Sequence, residues 1–110
     1  MKLKQIIESL QVEMMTESAD LEAEITGVYI GDLLSLVMAK AKQGDLWITI
    51  QTHLNVIAVV DLLDLGAVLV AEGVDIEEET LAKANSLNIP ILRSRLSAYD
   101  LAKKLSQLGL

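Results

Sequence analysis

At 110 residues with 52% apolar side chains, the chain has enough material for one compact domain with its own core. Sixteen acidic residues against nine basic ones give a net charge of −7, which repels a nucleic-acid backbone and an anionic membrane surface alike. The lack of cysteine excludes disulfides, thiolate catalysis and cysteine-held metal or iron–sulfur centres, and fits a reducing cytoplasm.

The first element is a short amphipathic helix over residues 2–9, with Leu3, Ile6, Ile7 and Leu10 at i, i+3, i+4 and i+7. No continuous apolar signal region stands in Met1 to Glu8, and no run approaches 18 apolar residues, so a soluble cytoplasmic protein is expected. Val12 to Met15 makes a brief strand and residues 16–20 a polar loop. Ile25 to Ile30 makes a second strand, stopped by Gly31-Asp32. Asp32 is placed to cap a helix whose apolar stripe is Leu33, Leu34, Val37, Met38 and Ala41 and which Gly44 ends.

The runs 46–50 and 67–71 read as strands, and the 16 residues between them predict parallel pairing through a crossover helix rather than a hairpin. By composition Leu54 to Leu65 could itself be a strand. Thr52 as N-cap, Gly66 as C′ residue and the need for a crossover predict a helix instead. Asp75-Ile76-Glu77-Glu78 opens the next helix as a capping box, with Leu81 and Ala84 inward and Asn88 as its end. Ile89 to Arg93 is a strand whose Pro90 places it at an edge or at a strand start. Ser97 to Asp100 opens the closing helix, lined by Leu101, Ala102, Leu105 and Leu108. The order from residue 45 is β-α-β-α-β-α, which predicts a single α/β domain over 1–110 with a mostly parallel sheet flanked by helices.

In such sheets ligands sit beyond the strand C-termini. The polar residues gathered there are Gln51, Thr52, His53 and Asn55 after the first crossover strand, Glu72 and Gly73 after the second, and Ser94 and Ser97 after the third. A small anionic ligand would meet free N–H groups and hydroxyls at these helix starts. His53 reads either as a proton donor or phosphate contact, or as a partly exposed residue of a first helical turn. Arg93-Ser94-Arg95 is either an anion clamp or an ordinary loop balancing an acidic chain. The run Glu77-Glu78-Glu79 opposes the positive end of a helix dipole, and no metal site is expected from a single turn. No glycine-rich nucleotide motif is present, aromatic residues are only 3%, and no cofactor is expected. The nearly all-apolar helix 54–65 needs covering by the N-terminal helix or by a second subunit, so a homodimer using this helix is expected.

The segments Tyr29-Ile30-Gly31-Asp32-Leu33-Leu34-Ser35, Gly44-Asp45-Leu46-Trp47-Ile48-Thr49-Ile50-Gln51 and Asn88-Ile89-Pro90-Ile91-Leu92 give the chain a resemblance to DRTGG domains over about residues 1 to 109. It is similar in particular to the stand-alone bacterial members named, by loose homology, serine kinases of the HPr protein. The resemblance implies a fold like the N-terminal domain of HPr kinase/phosphorylase and a non-catalytic regulatory role. In larger proteins such domains accompany CBS domains, as in a pyrophosphatase regulated by adenine nucleotides, and stand-alone relatives tend to be encoded near hydrogenase-like or NADH dehydrogenase-like subunits and signalling kinases. The chain departs from the family's name motif, with Gln51-Thr52-His53 in place of Asp-Arg and Ala71-Glu72-Gly73 in place of Thr-Gly-Gly, and Glu72 sets a carboxylate where a phosphate would approach. A ligand-sensing regulatory domain is therefore expected, the alternative being an adaptor for a redox or kinase partner protein without a small ligand. A small phosphotransfer enzyme has little support, because no phosphate cradle or placed metal carboxylates are visible.

Overall fold

The computed structural model describes residues 1–17 and 20–110; Ser18 and Ala19, in the loop expected at 16–20, lie outside the described residues. The elements in chain order are α1 (Leu3–Leu10), β1 (Glu13–Met14), β2 (Gly27–Ile30), α2 (Leu34–Lys40), β3 (Asp45–Thr49), α3 (Asn55–Leu63), β4 (Ala67–Val70), α4 (Glu78–Ser86), β5 (Ile91–Arg93) and α5 (Ala98–Gln107). One five-stranded sheet runs β1-β5-β4-β3-β2, parallel from β2 to β5, with β1 antiparallel on the β5 edge. The expected parallel pair is β3 with β4, in register Leu46↔Ala67 to Thr49↔Val70.

Alternation along the strands feeds two cores, because successive side chains leave a strand on opposite faces. Leu46, Ile48, Leu69 and Leu92 join Leu3, Ile6, Leu101 and Leu105 of α1 and α5 on one face. Trp47, Val68, Val70 and Ile91 join Val37 of α2, Val56, Ile57, Val59 and Val60 of α3 and Ala84 of α4 on the other. The strands advance in one direction from β2 to β5, so right-handed crossovers put α2, α3 and α4 together on that face.

Several local expectations are corrected. Helix α2 starts one residue past Leu33, which stands at its N-cap without a side-chain bond, because the Asp32 carboxylate turns inward to the next strand. Only Val37 of its stripe is fully buried, and Leu33 and Met38 are exposed, since α2 flanks an edge strand. Gly44 does not end α2, whose C-cap is Ala41; it supplies the positive φ of the turn into β3. Thr52 does not cap α3: the N-cap position is Leu54, and Asp64, not Gly66, takes the left-handed conformation at the other end. The acids ahead of α4 do not form the capping box, because Glu77 is the N-cap without a side-chain bond and Asp75 pairs with Arg93. Ser97 does cap α5, accepting from the Asp100 amide at 3.1 Å, and Asn88 does end α4 with φ +57°. Helix α3 is covered by the sheet beneath it and by α2 and α4 beside it, not by α1, which lies on the opposite face. Its apolar character follows from that central position and requires no second subunit.

Candidate functional site

Four parallel strands end together, and their following loops build the candidate site. At the β2 and β3 ends Asp32 is the organiser. Its Oδ1 accepts from the Thr49 hydroxyl at 2.8 Å and the Ile50 amide at 3.0 Å, and its carbonyl accepts from Gln51 Nε2 at 3.0 Å. Trp47, fully buried, donates its indole N–H to the Gly31 carbonyl at 2.8 Å, so the β2 exit is fixed from both sides. Further along, the Thr52 carbonyl accepts from the buried Thr80 hydroxyl at 2.7 Å, and His53 Nδ1 accepts from the Asn55 amide at 3.1 Å. Gln51, Thr52, His53 and Asn55 are thus held by local bonds, and His53 is exposed and precedes the first turn of α3 rather than lying in it.

The β4 and β5 loops lock to one another. Helices α4 and α5 leave for opposite faces of the sheet, a divergence that in open α/β sheets produces a crevice. Here it is bridged, because the Glu72 amide donates to the Leu96 carbonyl at 2.9 Å and the Gly73 amide to the Ser94 carbonyl at 2.8 Å. Glu72 and Gly73 both have positive φ, +63° and +65°, and the tight turn they make brings Gly73 against Arg95, whose Cγ would stand 3.4 Å from a Cβ there. Glu72 occupies a backbone region that glycine enters freely and other residues enter at a cost.

Beside this bridge a hollow of about 480 Å³ opens between the end of α1, β1, the β5 exit and α5, lined by Leu10, Gln11, Glu13, Arg93, Ser94, Arg95, Leu96 and Lys104. Arg93 is committed: it pairs with Asp75 at 3.0 Å and with Glu13 at 3.2 Å. Arg95 and Lys104 have no ion pair among the described residues. Of the eight expected residues Ser94 alone lines the hollow. Glu72 and Gly73 stand at its margin through their bonds to Leu96 and Ser94, Ser97 follows Leu96 as the cap of α5, and the residues after β3 belong to a separate cluster around Asp32 and Thr80. The sequence points to Asp32 as a helix cap rather than a site residue and does not single out Gln11 or Lys104. Asp32 carried a signal, a polar residue directly after a strand-ending glycine; Gln11 and Lys104 carried none, because only the packing of α1 on α5 brings them together. Among the described residues no three His, Cys, Asp or Glu side chains converge on a metal site, and no helix is long and apolar enough to cross a membrane.

No curated protein matches the chain. A crystal structure of the CBS and DRTGG domains of the regulatory region of Clostridium perfringens pyrophosphatase, complexed with its activator diadenosine tetraphosphate, superposes with a TM-score of 0.79 at 16% sequence identity. That likeness covers 96% of this chain but 46% of the other, so the chain spans less than half of that regulatory region and shares its fold. The family model of the DRTGG domain matches residues 5–108, and with a match over nearly its whole length the chain belongs to the DRTGG domain family.

Proposed function

We propose that this domain regulates by sensing a small phosphorylated anion, and that it has no catalytic activity of its own. The observation that carries the reading is Arg95 and Lys104, two cations without an ion pair among the described residues, lining one hollow with Ser94 in a chain of net charge −7. In a protein so acidic, unpaired cations gathered on a concave surface make a local positive field that an anion would follow, and an arginine fork suits phosphate. The pyrophosphatase regulatory region with the same fold is complexed with a dinucleoside tetraphosphate, which supports the ligand class by analogy. Aromatic residues give little for a base to stack on, as Trp47 is fully buried and Tyr99 stands exposed on α5, so recognition rests on the phosphates. Among the described residues His53 Nδ1 accepts from the Asn55 amide and no nucleophile is hydrogen-bonded to the ring, which supports sensing over phosphotransfer.

The test is calorimetry and thermal shift with inorganic phosphate, ATP and diadenosine tetraphosphate. The protein should melt higher in proportion to ligand excess. The double variant Arg95→Ser/Lys104→Ser should lose at least about 10- to 100-fold in affinity, the weight of one charge-assisted hydrogen bond at roughly 1.5–3 kcal/mol. His53→Ala should bind as the parent does. No shift at millimolar ligand, or undiminished binding by the double variant, overturns the reading and leaves the adaptor for a redox or kinase partner protein.

A further inference from the structure

The hollow at the β5 exit is not cationic throughout. Its walls come from the two ends of the chain, the α1–β1 segment and the β5–α5 segment, and they differ in sign. On the β5–α5 wall Arg95 and Lys104 have no ion pair among the described residues. Ser94 stands with them: its Oγ accepts from the Leu96 amide at 3.1 Å, which leaves the hydroxyl proton to donate.

The α1–β1 wall is negative for two independent reasons. The first is Glu13, whose Oε2 accepts from Arg93 at 3.2 Å while its Oε1 has no partner among the described residues. Arg93 does not cancel this carboxylate, because Asp75 shares the guanidinium at 3.0 Å and one cation stands against two anions. The second is α1 itself. The helix ends on this wall at Leu10 and Gln11, with Glu8 and no base in its last turn, so the negative end of its dipole is uncompensated and favours a cation. The two signs also lie close together. Glu13 stands opposite Arg93 in the β1–β5 register, and Arg95 follows Arg93 by two residues, at most about 7 Å of chain. One small molecule can reach both.

We propose that the hollow takes a phosphomonoester that also carries an ammonium group a few bonds from the phosphate. The phosphate meets Arg95, Lys104 and the Ser94 hydroxyl, and the ammonium meets Glu13 and the end of α1. This narrows the ligand class of the anion-sensing reading and rests on that reading. A ligand anionic throughout would press negative charge against Glu13, and one with an uncharged skeleton would leave the Glu13 Oε1 to water. A match of opposite signs at both ends is what electrostatic complementarity uses to select among ligands that share a phosphate. The net charge of −7 by itself also favours a dipolar molecule over a dianion, so the site is separated from that general field by variants of equal charge.

The probes are O-phosphoethanolamine, ethyl phosphate and inorganic phosphate, titrated by calorimetry into the 110-residue protein. The first two share a phosphate on a two-carbon chain and differ in the amine. O-Phosphoethanolamine should bind the parent about three- to fivefold more tightly than ethyl phosphate, the weight of an ion pair at a solvated carboxylate. Glu13→Gln should abolish that preference and hold inorganic phosphate at least as tightly as the parent, since a carboxylate leaves the hollow. Asp75→Asn changes the net charge by the same amount and releases the same arginine, but Asp75 does not line the hollow, so the preference should persist. Equal affinities in the parent overturn the proposal, and so does a preference that survives Glu13→Gln or that Asp75→Asn abolishes as well. If ethyl phosphate still binds in that event and is lost with Arg95→Ser/Lys104→Ser, the anion-sensing reading stands without this refinement; if none of the three probes binds, both fall. The comparison of ligands in the parent needs no variant, so a Glu13→Gln chain that fails to fold leaves it decisive.

Discussion

The two ends of the parallel strands carry hollows of comparable size and opposite charge. Where the strands finish, Arg93, Arg95 and Lys104 stand around about 480 Å³. Where they begin, Asp20, Glu24, Asp61 and Asp64 stand around about 370 Å³. The helix between them sharpens the contrast: α3 has no acid in its first turn and no base in its last, where Asp61 lies, so its dipole is uncompensated at the N-terminus and reinforced at the C-terminus. Helices α4 and α5 follow the opposite, stabilising habit, with Glu78, Glu79 and Asp100 in their first turns. A molecule of net charge −7 therefore still offers anions one favourable end, and the sign of an end is set by which side chains the loops bring there rather than by the topology shared by both.

Substitutions that leave charge alone at one end and change it at the other break this comparison apart. The largest effect is expected at the acidic end. Gly66 lies there under Ile25, and a methyl group on it would run into Ile25 Cδ1 and stand 3.1 Å from the Gly44 carbonyl oxygen. Ile25 is fully buried and has little room to yield. Gly66→Ala should cost about 1–3 kcal/mol in chemical denaturation and leave phosphate affinity unchanged. At the cationic end the sign reverses. Glu72→Gly removes a non-glycine residue from φ +63° and should stabilise by about 0.5–1 kcal/mol. It also removes a carboxylate beside the β5 loop, so phosphate should bind more tightly by calorimetry; an unchanged or weaker affinity would place the anion elsewhere.

The smallest effect concerns Glu22, near the start of the strands. Hydrogen bonds first from Lys2 and then from Lys4, at 2.7 and 2.8 Å, hold its carboxyl below the usual range, and the bond to Glu22 pushes the Lys4 amine up. A depressed carboxylate contributes above its unfolded pKa and stops contributing as pH falls through its folded one. A raised amine contributes below its unfolded pKa and fades as pH rises through its folded one. Between those limits the cluster is intact, and because all three groups are solvated its weight is slight. NMR titration should place the Glu22 midpoint below that of free glutamate, and Lys2→Gln with Lys4→Gln should restore the ordinary value.

Much of this was legible in the sequence where a pattern is local. The alternation of 46–50 and 67–71, the crossover between them and the Ser97 cap specify the parallel unit, and turn glycines bound it. The β-branched run at 54–65 gave a helix because parallel pairing of β3 with β4 leaves no other connection. What stayed illegible depends on distant partners. Asp32 looks like a helix cap until Thr49 and Ile50 are beside it. Asp75 looks like part of a capping box until Arg93 is across from it. The site was legible as a layer, the ends of the strands, but not as a place. Gln51, Thr52, His53 and Asn55 bind to their own surroundings, whereas Lys104 and Gln11 reach the hollow from helices 93 residues apart in numbering.

The Arg93 contacts also bear on how the chain reaches this fold. Strand β1 pairs with β5 in the register Glu13↔Arg93, so the outer strand is 80 residues from its partner, while β3, β4 and β5 each follow one crossover apart. Closing so long a loop is entropically worthwhile only after the parallel unit offers a formed edge. The segment α1–β1 should therefore dock late during folding and be the first part to open under native conditions. Its amides would exchange with solvent ahead of those of β3 and β4, and the floor of the cationic hollow would come and go with it.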